Sequence, residues 1–249
     1  MGFSFEHVNA TDYDELRPTY APESVRWVAE RALLEPGSLV VDLAAGTGQL
    51  SRRFAALGVR MIAVEPADNM RAVLTSNLPE VHAVPGTAED IPVDDGVADA
   101  VVVGNAFHHF DAEAAFAEIR RVLRVKGALG LFWAWPMEEQ HLTHPGLREI
   151  DEEVERTRGT SRIATAYRAW AEPPAPIDGF SAFQRHQFPT VHELPSGRLA
   201  DLYATSSDIA SLPPGRRAEL LARIQYISRG LPEHLELPAR SVVDLCFRI

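Results

Sequence analysis

The chain has 249 residues, room for one large α/β domain or a domain carrying an insert. Hydrophobic residues make up 46% and charged residues 24%, the balance of a folded protein with a real core rather than of a disordered chain. The formal net charge of −11 repels phosphate backbones and argues against a nucleic-acid partner, and no window approaches the roughly 18–20 apolar residues that a membrane span needs.

The N-terminal stretch MGFSFEHVNATDYDE is acidic and has no long apolar run, so the expectation is a cytoplasmic protein without a signal peptide. Pro22 starts a helix with Val25, Ala29, Ala32 and Leu33 on one face, ending near Pro36-Gly37. The continuous apolar run Leu39–Leu43 follows, as expected of a parallel strand buried on both faces. A helix from Gln49 to about Leu57 stops at Gly58. Next come a strand at Met61–Val64, a helix over Asn69–Leu78 and a short strand at Val81–Val84. Asp99–Val103 is a further strand. Asp111 caps a helix with Phe116, Ile119 and Leu123 inside, closed by Gly127, and Ala128–Trp133 makes a fifth strand. The basic run Arg120–Gly127 falls at the end of that helix, where cations suit the helix dipole.

Strands alternating with helices imply βαβ units and a doubly wound, mostly parallel sheet. After Trp135 the rhythm changes. Leu147, Ile150 and Val154, then Ile163, Tyr167 and Trp170, mark two helical patterns before the Pro-rich AEPPAPIDG. A strand around Phe183–Phe188, helices near Arg198–Ala204 and Arg216–Ser228, and a last strand at Ser241–Arg248 complete the chain. The lone cysteine, Cys246, cannot form an internal disulfide and reads as an inert thiol in that last strand. The expected organisation is one domain of four parts. Residues 1–36 form an N-terminal helical cap and 37–135 the core. Residues 136–176 make a helical insert or lid, and 177–249 supply the sheet's last strands and helices.

The turn after the first strand, VVDLAAGTGQL, holds the first candidate site. A strand, a glycine-rich turn and a helix start put free N–H groups and a positive dipole end where a ligand can approach. The nicotinamide fingerprint G-x-G-x-x-G is not met, because Ser51 stands at the third position after Gly48. Asp42 precedes the turn, and the second strand ends in Glu65, placed to accept from both hydroxyls of a ribose. Loops after the third and fourth strands, GTAEDIP and GNAFHHF, reach the same crevice.

These segments, with VEPADNM, the RVLRVKGALGLFWA end of the core and the N-terminal YDELRPTY, resemble the class I S-adenosylmethionine-dependent methyltransferases. The resemblance is to the small-molecule branch that includes ubiquinone/menaquinone-pathway and trans-aconitate enzymes, and it covers about residues 11–135. It implies a Rossmann-like sheet of seven strands and S-adenosylmethionine as cofactor, with S-adenosylhomocysteine as product. Ala44, Gly46 and Gly48 would cradle the methionine part, oriented by Asp42. Glu65 would hold the ribose and Met70 the adenine face, with Ala88 and Glu89 at the adenine edge. Asn105 and Ala106 would line the methionine side. Tyr13, Arg17 and Tyr20 would close the site, Arg17 near the cofactor carboxylate. Ala44 replaces the family's usual first turn glycine, which matters only if the position needs positive φ.

The implied reaction is direct methyl transfer to a small-molecule acceptor. Holding the nucleophile in line supplies about 7–11 kcal/mol of barrier reduction. His108 is the candidate base, with a packing histidine as its alternative; His109 projects differently and could as well be core. Trp133, Trp135, Tyr167 and Trp170 are candidate substrate walls that core packing would equally explain. Arg156, Arg158, Arg162 and Arg168 could meet an acidic acceptor or simply balance neighbouring acids. His141 and His144 lack the further ligand a metal needs, so no metal is expected. A non-catalytic cofactor-binding protein and a nicotinamide-dependent oxidoreductase remain as alternatives. The sequence leaves open the methylated atom and the choice between monomer and homodimer.

Overall fold

The structure, a computed structural model, describes residues 8–136, 144–158 and 174–249. The strands Leu39–Leu43 (β1), Arg60–Val64 (β2), His82–Val84 (β3), Ala98–Gly104 (β4) and Leu123–Pro136 (β5) run parallel. Gln184–Pro195 (β6) and His234–Phe247 (β7) complete the sheet, with β7 antiparallel between β5 and β6. The order is β3-β2-β1-β4-β5-β7-β6. It reverses between β1 and β4, and such a switch point opens a crevice at the strands' carboxyl ends.

Parallel neighbours need crossover helices, and these fix the two apolar layers. Ala10–Leu16 (α1), Pro22–Arg31 (α2), Gln49–Ala55 (α3), Asp68–Asn77 (α4) and Ala112–Val122 (α5) alternate with the strands. One face of the sheet, with Val40, Ala63, Ala100 and Phe132, packs on Val28, Phe54 and Leu74 of α2, α3 and α4. Alternate residues Val41, Val101, Val103 and Leu131 face Ala115, Ile119 and Val122 of α5. Each buried Val, Leu or Ile contributes about 1.5–3 kcal/mol, so these layers set the strand register.

A third apolar cluster joins the ends of β6 and β7, with Leu194, Leu235 and Leu237, to the C-terminal helices. Pro145–Arg158 (α6) buries Leu147, Ile150 and Val154 in one core with Leu220, Ile224 and Ile227 of Pro214–Ser228 (α9). Leu199–Ala204 (α7), Ser207–Ala210 (α8) and Leu16 of α1 contribute to the same core. The pairing of β5 with β7 ends at Pro136↔Ala239, whereas β6 and β7 stay paired out to Pro195↔His234. The β6–β7 pair therefore overshoots the carboxyl end of β5 and carries α7 to α9 to the crevice side. Helical mass at that end thus comes from the segment between β6 and β7 as well as from α6.

Several boundaries differ from the sequence reading. Leu33 is not on the α2 face: it leaves the helix at φ 52 and is 79% exposed. Leu123 begins β5 directly after α5, and Gly127 lies where the β4–β5 register shifts, not at a helix cap. Both β6 and β7 are longer than the expected strands. Prolines obscured them: Pro189 sits on the edge strand, and Pro238 lies where β7, among the described residues, pairs with β6 alone. Among the described residues no helix is long and apolar enough to cross a membrane, and no group of three or more His, Cys, Asp or Glu could hold a metal.

Candidate active site

A cavity opens at the carboxyl ends of β1, β2, β3 and β4. Ala44 and Gly46 reach it from the turn after β1, Glu65 and Pro66 from the end of β2, and Thr87, Ala88 and Glu89 from the loop after β3. Gly104, Asn105, Ala106, His109 and Phe110 form the β4 side, while Met70 and Tyr13 close it from α4 and α1. Nine of the expected site residues meet here: Tyr13, Ala44, Gly46, Glu65, Met70, Ala88, Glu89, Asn105 and Ala106.

The turn has its small residues for distinct reasons. Ala44 does adopt positive φ, at 50°, the condition under which glycine is preferred. A Cβ on Gly46 would have only Tyr13 Cε1 nearby, at 3.9 Å, so this glycine keeps space open on the cavity side. Gly48 faces elsewhere: a Cβ there would come within 2.8 Å of Leu78 and 2.9 Å of Leu74. Its role is to let α3 start close against α4, and it does not line the cavity.

Glu65 is buried, and its Oε2 accepts from Gly46 N–H at 2.8 Å while Oε1 accepts from Ala67 N–H at 2.8 Å. The acid therefore braces the glycine turn. Burial raises its pKa, and the two backbone N–H bonds and the Arg71 charge pull it back down. A carboxylate offers about four acceptor positions, so two remain for ligand hydroxyls. Asp42 sits one layer behind the turn, 1% exposed, with Oδ2 accepting from Ser51 Oγ at 2.6 Å. Its Oδ1 is buried without a hydrogen-bond partner, as is Thr47 Oγ1. Burial pushes Asp42 up to about 7, the Ser51 hydroxyl opposes this, and Glu65 adds to the rise. Ser51, which broke the nicotinamide fingerprint, thus serves to hold Asp42.

Four expected cofactor residues lie outside the cavity wall. Asp42 and Gly48 support the turn from behind. Tyr20 is buried in the second layer, edge-on to Phe132 at 5.9 Å, beside Gly104, where a side chain would collide with its hydroxyl. Arg17 follows Leu16, which is sunk in the third apolar cluster, and so it turns toward the C-terminal helices. It donates from Nε to Thr205 Oγ1 at 2.9 Å and from Nη2 to Thr205 O at 3.0 Å and Ser206 Oγ at 3.2 Å. Its guanidinium lies over the Tyr13 ring at 5.2 Å. Arg17 thus does not line the cavity in this structure.

On the β4 side, the short turn Phe107–His109 presents His109 and not His108 to the cavity. His108 stacks on buried Trp133 with ring centres 5.9 Å apart. Burial lowers its pKa to about 3, and the neighbouring His109 adds to the shift. Burial lowers His109 as well, so both rings are neutral. Trp133 is core, which answers the ambiguity of the sequence; Tyr167, Trp170 and the side chain of Trp135 lie outside the described residues. Sequence reasoning did not single out Pro66, Thr87, Gly104 or Phe110, and weighed His109 only as a residue that could as well be core. Each adjoins a residue it did name, and the neighbourhood of the motif was the available signal.

Residues 41–131 match the family model of a methyltransferase domain. An uncharacterised methyltransferase of Mycobacterium tuberculosis is 35% identical over 215 residues, 86% of this chain and 82% of the relative. An uncharacterised methyltransferase-like protein of Schizosaccharomyces pombe is 30% identical over 241 residues, covering 96% and 91%. The chain belongs to the class I S-adenosylmethionine-dependent methyltransferases. Within that family, the ubiquinone/menaquinone biosynthesis C-methyltransferase of Caulobacter vibrioides is 30% identical over 114 residues, only 40% of this chain and 45% of the relative. A solved structure of a candidate type II methyltransferase from Anaeromyxobacter dehalogenans shares the fold, with TM-score 0.60 at 21% identity over 94% of this chain and 98% of that one.

Proposed function

We propose that this protein transfers the methyl group of S-adenosylmethionine to a small-molecule acceptor. The observation that carries the reading is the Glu65 carboxylate at the cavity wall, fixed by the N–H groups of Gly46 and Ala67 with acceptor capacity to spare. The same residues fit the cofactor in other respects. Gly46 leaves room for a ligand against the backbone, and the partnerless Asp42 Oδ1 and Thr47 Oγ1 lie behind the turn. Buried polar atoms of this kind cost stability unless something satisfies them.

When bound, the cofactor supplies an electrophilic methyl on a sulfonium. Glu65 holds the ribose hydroxyls, Met70 and Ala88 enclose the adenine, and Gly46 with Asn105 and Ala106 borders the methionine part. Tyr13 and the apolar wall exclude water. Alignment of the nucleophile is the main catalytic contribution, worth about 7–11 kcal/mol when the reacting atoms are held in line. Where the acceptor must lose a proton, His109 is the group that faces it, and its neutral imidazole is in the accepting state. His108 serves by packing His109 against Trp133. The net charge of −11 favours a free small molecule over nucleic acid.

Calorimetric titration with S-adenosylmethionine, S-adenosylhomocysteine and NAD tests this, on wild type and Glu65→Ala. Micromolar binding of the first two, weakened in the variant, supports the reading. Binding of NAD alone, or of none, overturns it. Binding without methyl transfer to any of a broad acceptor panel would favour a non-catalytic cofactor-binding protein.

A further inference from the structure

Asp42 and Glu65 flank the same turn, and both are buried. Glu65 has each oxygen matched to a backbone N–H, whereas Asp42 is held from Ser51 alone, through its hydroxyl and its backbone, and its Oδ1 is left without a partner. The Arg71 charge offsets part of the cost at Glu65, and among the described residues no ion pair reaches Asp42. Arg71, the cation nearest Glu65, directs Nη1 to the Glu65 carbonyl, and its Nη2 is paired with Asp68. From α3, Ser51 is the group that touches Asp42; Arg52 is paired with Asp14 of α1, and Arg53 reaches Thr19. The register partners of Asp42 on β2 and β4 are Ala63 and Val102, both uncharged. Among the described residues, two carboxylates therefore share a buried turn, and Asp42 feels the charge of Glu65 without a cation of its own. A site of this kind is short of positive charge until a ligand or a proton provides it.

We propose that Asp42 carries a proton in the ligand-free protein and releases it to solvent when the amino-acid end of the cofactor binds, so that cofactor affinity rises with pH. This rests on the cofactor reading above. Below its midpoint Asp42 is protonated in the free protein, and the arriving ammonium takes over the electrostatic role of that proton. Glu65, fixed by its two N–H donors, is the acid that meets the ribose. The pair thus divides the work, one acid for the sugar and one for the charge.

The test is calorimetric binding of two probes at pH 6 and pH 8: S-adenosylhomocysteine, and adenosine, which lacks the amino-acid end. With a midpoint near 7 for Asp42, removal of one proton makes S-adenosylhomocysteine bind about tenfold more weakly at pH 6 than at pH 8. Adenosine binds equally at both. Repeating the titration at pH 7 in buffers of different ionisation enthalpy counts the released proton directly. Asp42→Asn flattens the pH dependence, and its thermal melt reports whether it is folded. Ser51→Ala removes a bond that favours the charged acid and moves the midpoint upward, a second check that needs no change at Asp42. Equal affinity of S-adenosylhomocysteine at the two pH values, or a slope that persists in Asp42→Asn or appears with adenosine, overturns the proposal. If neither probe binds at either pH, the cofactor reading itself fails and the proposal falls with it.

Discussion

The carboxylate of Glu65 accepts the N–H of Gly46 at 2.8 Å, so the acid at the end of β2 holds the turn that follows β1. One side chain both shapes the cavity wall and offers the ligand its acceptors. Removing it should therefore show two separable effects. Glu65→Ala is expected to weaken S-adenosylhomocysteine binding by about 1.5–3 kcal/mol, the worth of a hydrogen bond to a charged group. The same variant should speed hydrogen exchange at the amides of Gly46 and Ala67, which lose their acceptor. Exchange unchanged at both amides would show that the brace is not needed.

The three small turn residues should respond differently to substitution. Ala44 is held at φ 50, which costs an L-residue about 1–2 kcal/mol, and glycine's greater unfolded-state freedom offsets part of that gain. Ala44→Gly should therefore stabilise the protein by up to about 1 kcal/mol. Gly48→Ala meets both a φ of 86 and contacts under 3 Å with Leu74 and Leu78, and should destabilise most. Gly46→Ala adds the backbone cost without the collision, so its larger effect falls on cofactor binding. Urea unfolding and calorimetry of the three variants give the ranking.

Across the sheet, Arg185 grips Asp244 with Nε to Oδ1 at 2.8 Å and Nη2 to Oδ2 at 2.7 Å, and Asp244 is fully buried. Arg185→Met leaves a buried carboxylate without its cation and should cost about 3–5 kcal/mol. Asp244→Asn placed on top of it should recover part of the loss. A single variant as stable as wild type would show that the pair contributes nothing.

His108 gives the fold an acid sensitivity of predictable sign. Its folded pKa lies near 3, below the ordinary 6.5, so the unfolded chain binds the proton more readily. The stability from this residue is complete above about pH 6.5 and is lost progressively as pH falls toward 3. His108→Phe keeps an aromatic ring on Trp133 and removes the proton site. Its melting temperature should drop less than that of wild type between pH 7.5 and pH 5.5.

Read residue by residue, the sequence was most informative where structure is local. Unbroken apolar runs such as Leu39–Leu43 belong to strands covered on both sides, and Asp111 or the Gly48–Gln49 step mark helix starts through their own backbone chemistry. The strand ends that line a crevice are equally legible once the βαβ order is known, which points to Gly46 and Glu65, while Ala44 and Asn105 come from the family resemblance. Directions after a motif were not legible. The run Phe107-His108-His109-Phe110 is plain in the sequence, but a single turn of backbone decides which histidine faces the cavity and which one packs on Trp133, a residue on another strand. Arg17 likewise goes to Thr205, almost the whole chain away, because Leu16 is anchored in a core assembled from distant helices. Local propensity and apolar spacing determined the elements and the turn that carries the chemistry. Only tertiary packing, which sums contacts between remote segments, determined where each side chain beyond the turn would point, and left Asp42 buried near Glu65 without a cation of its own.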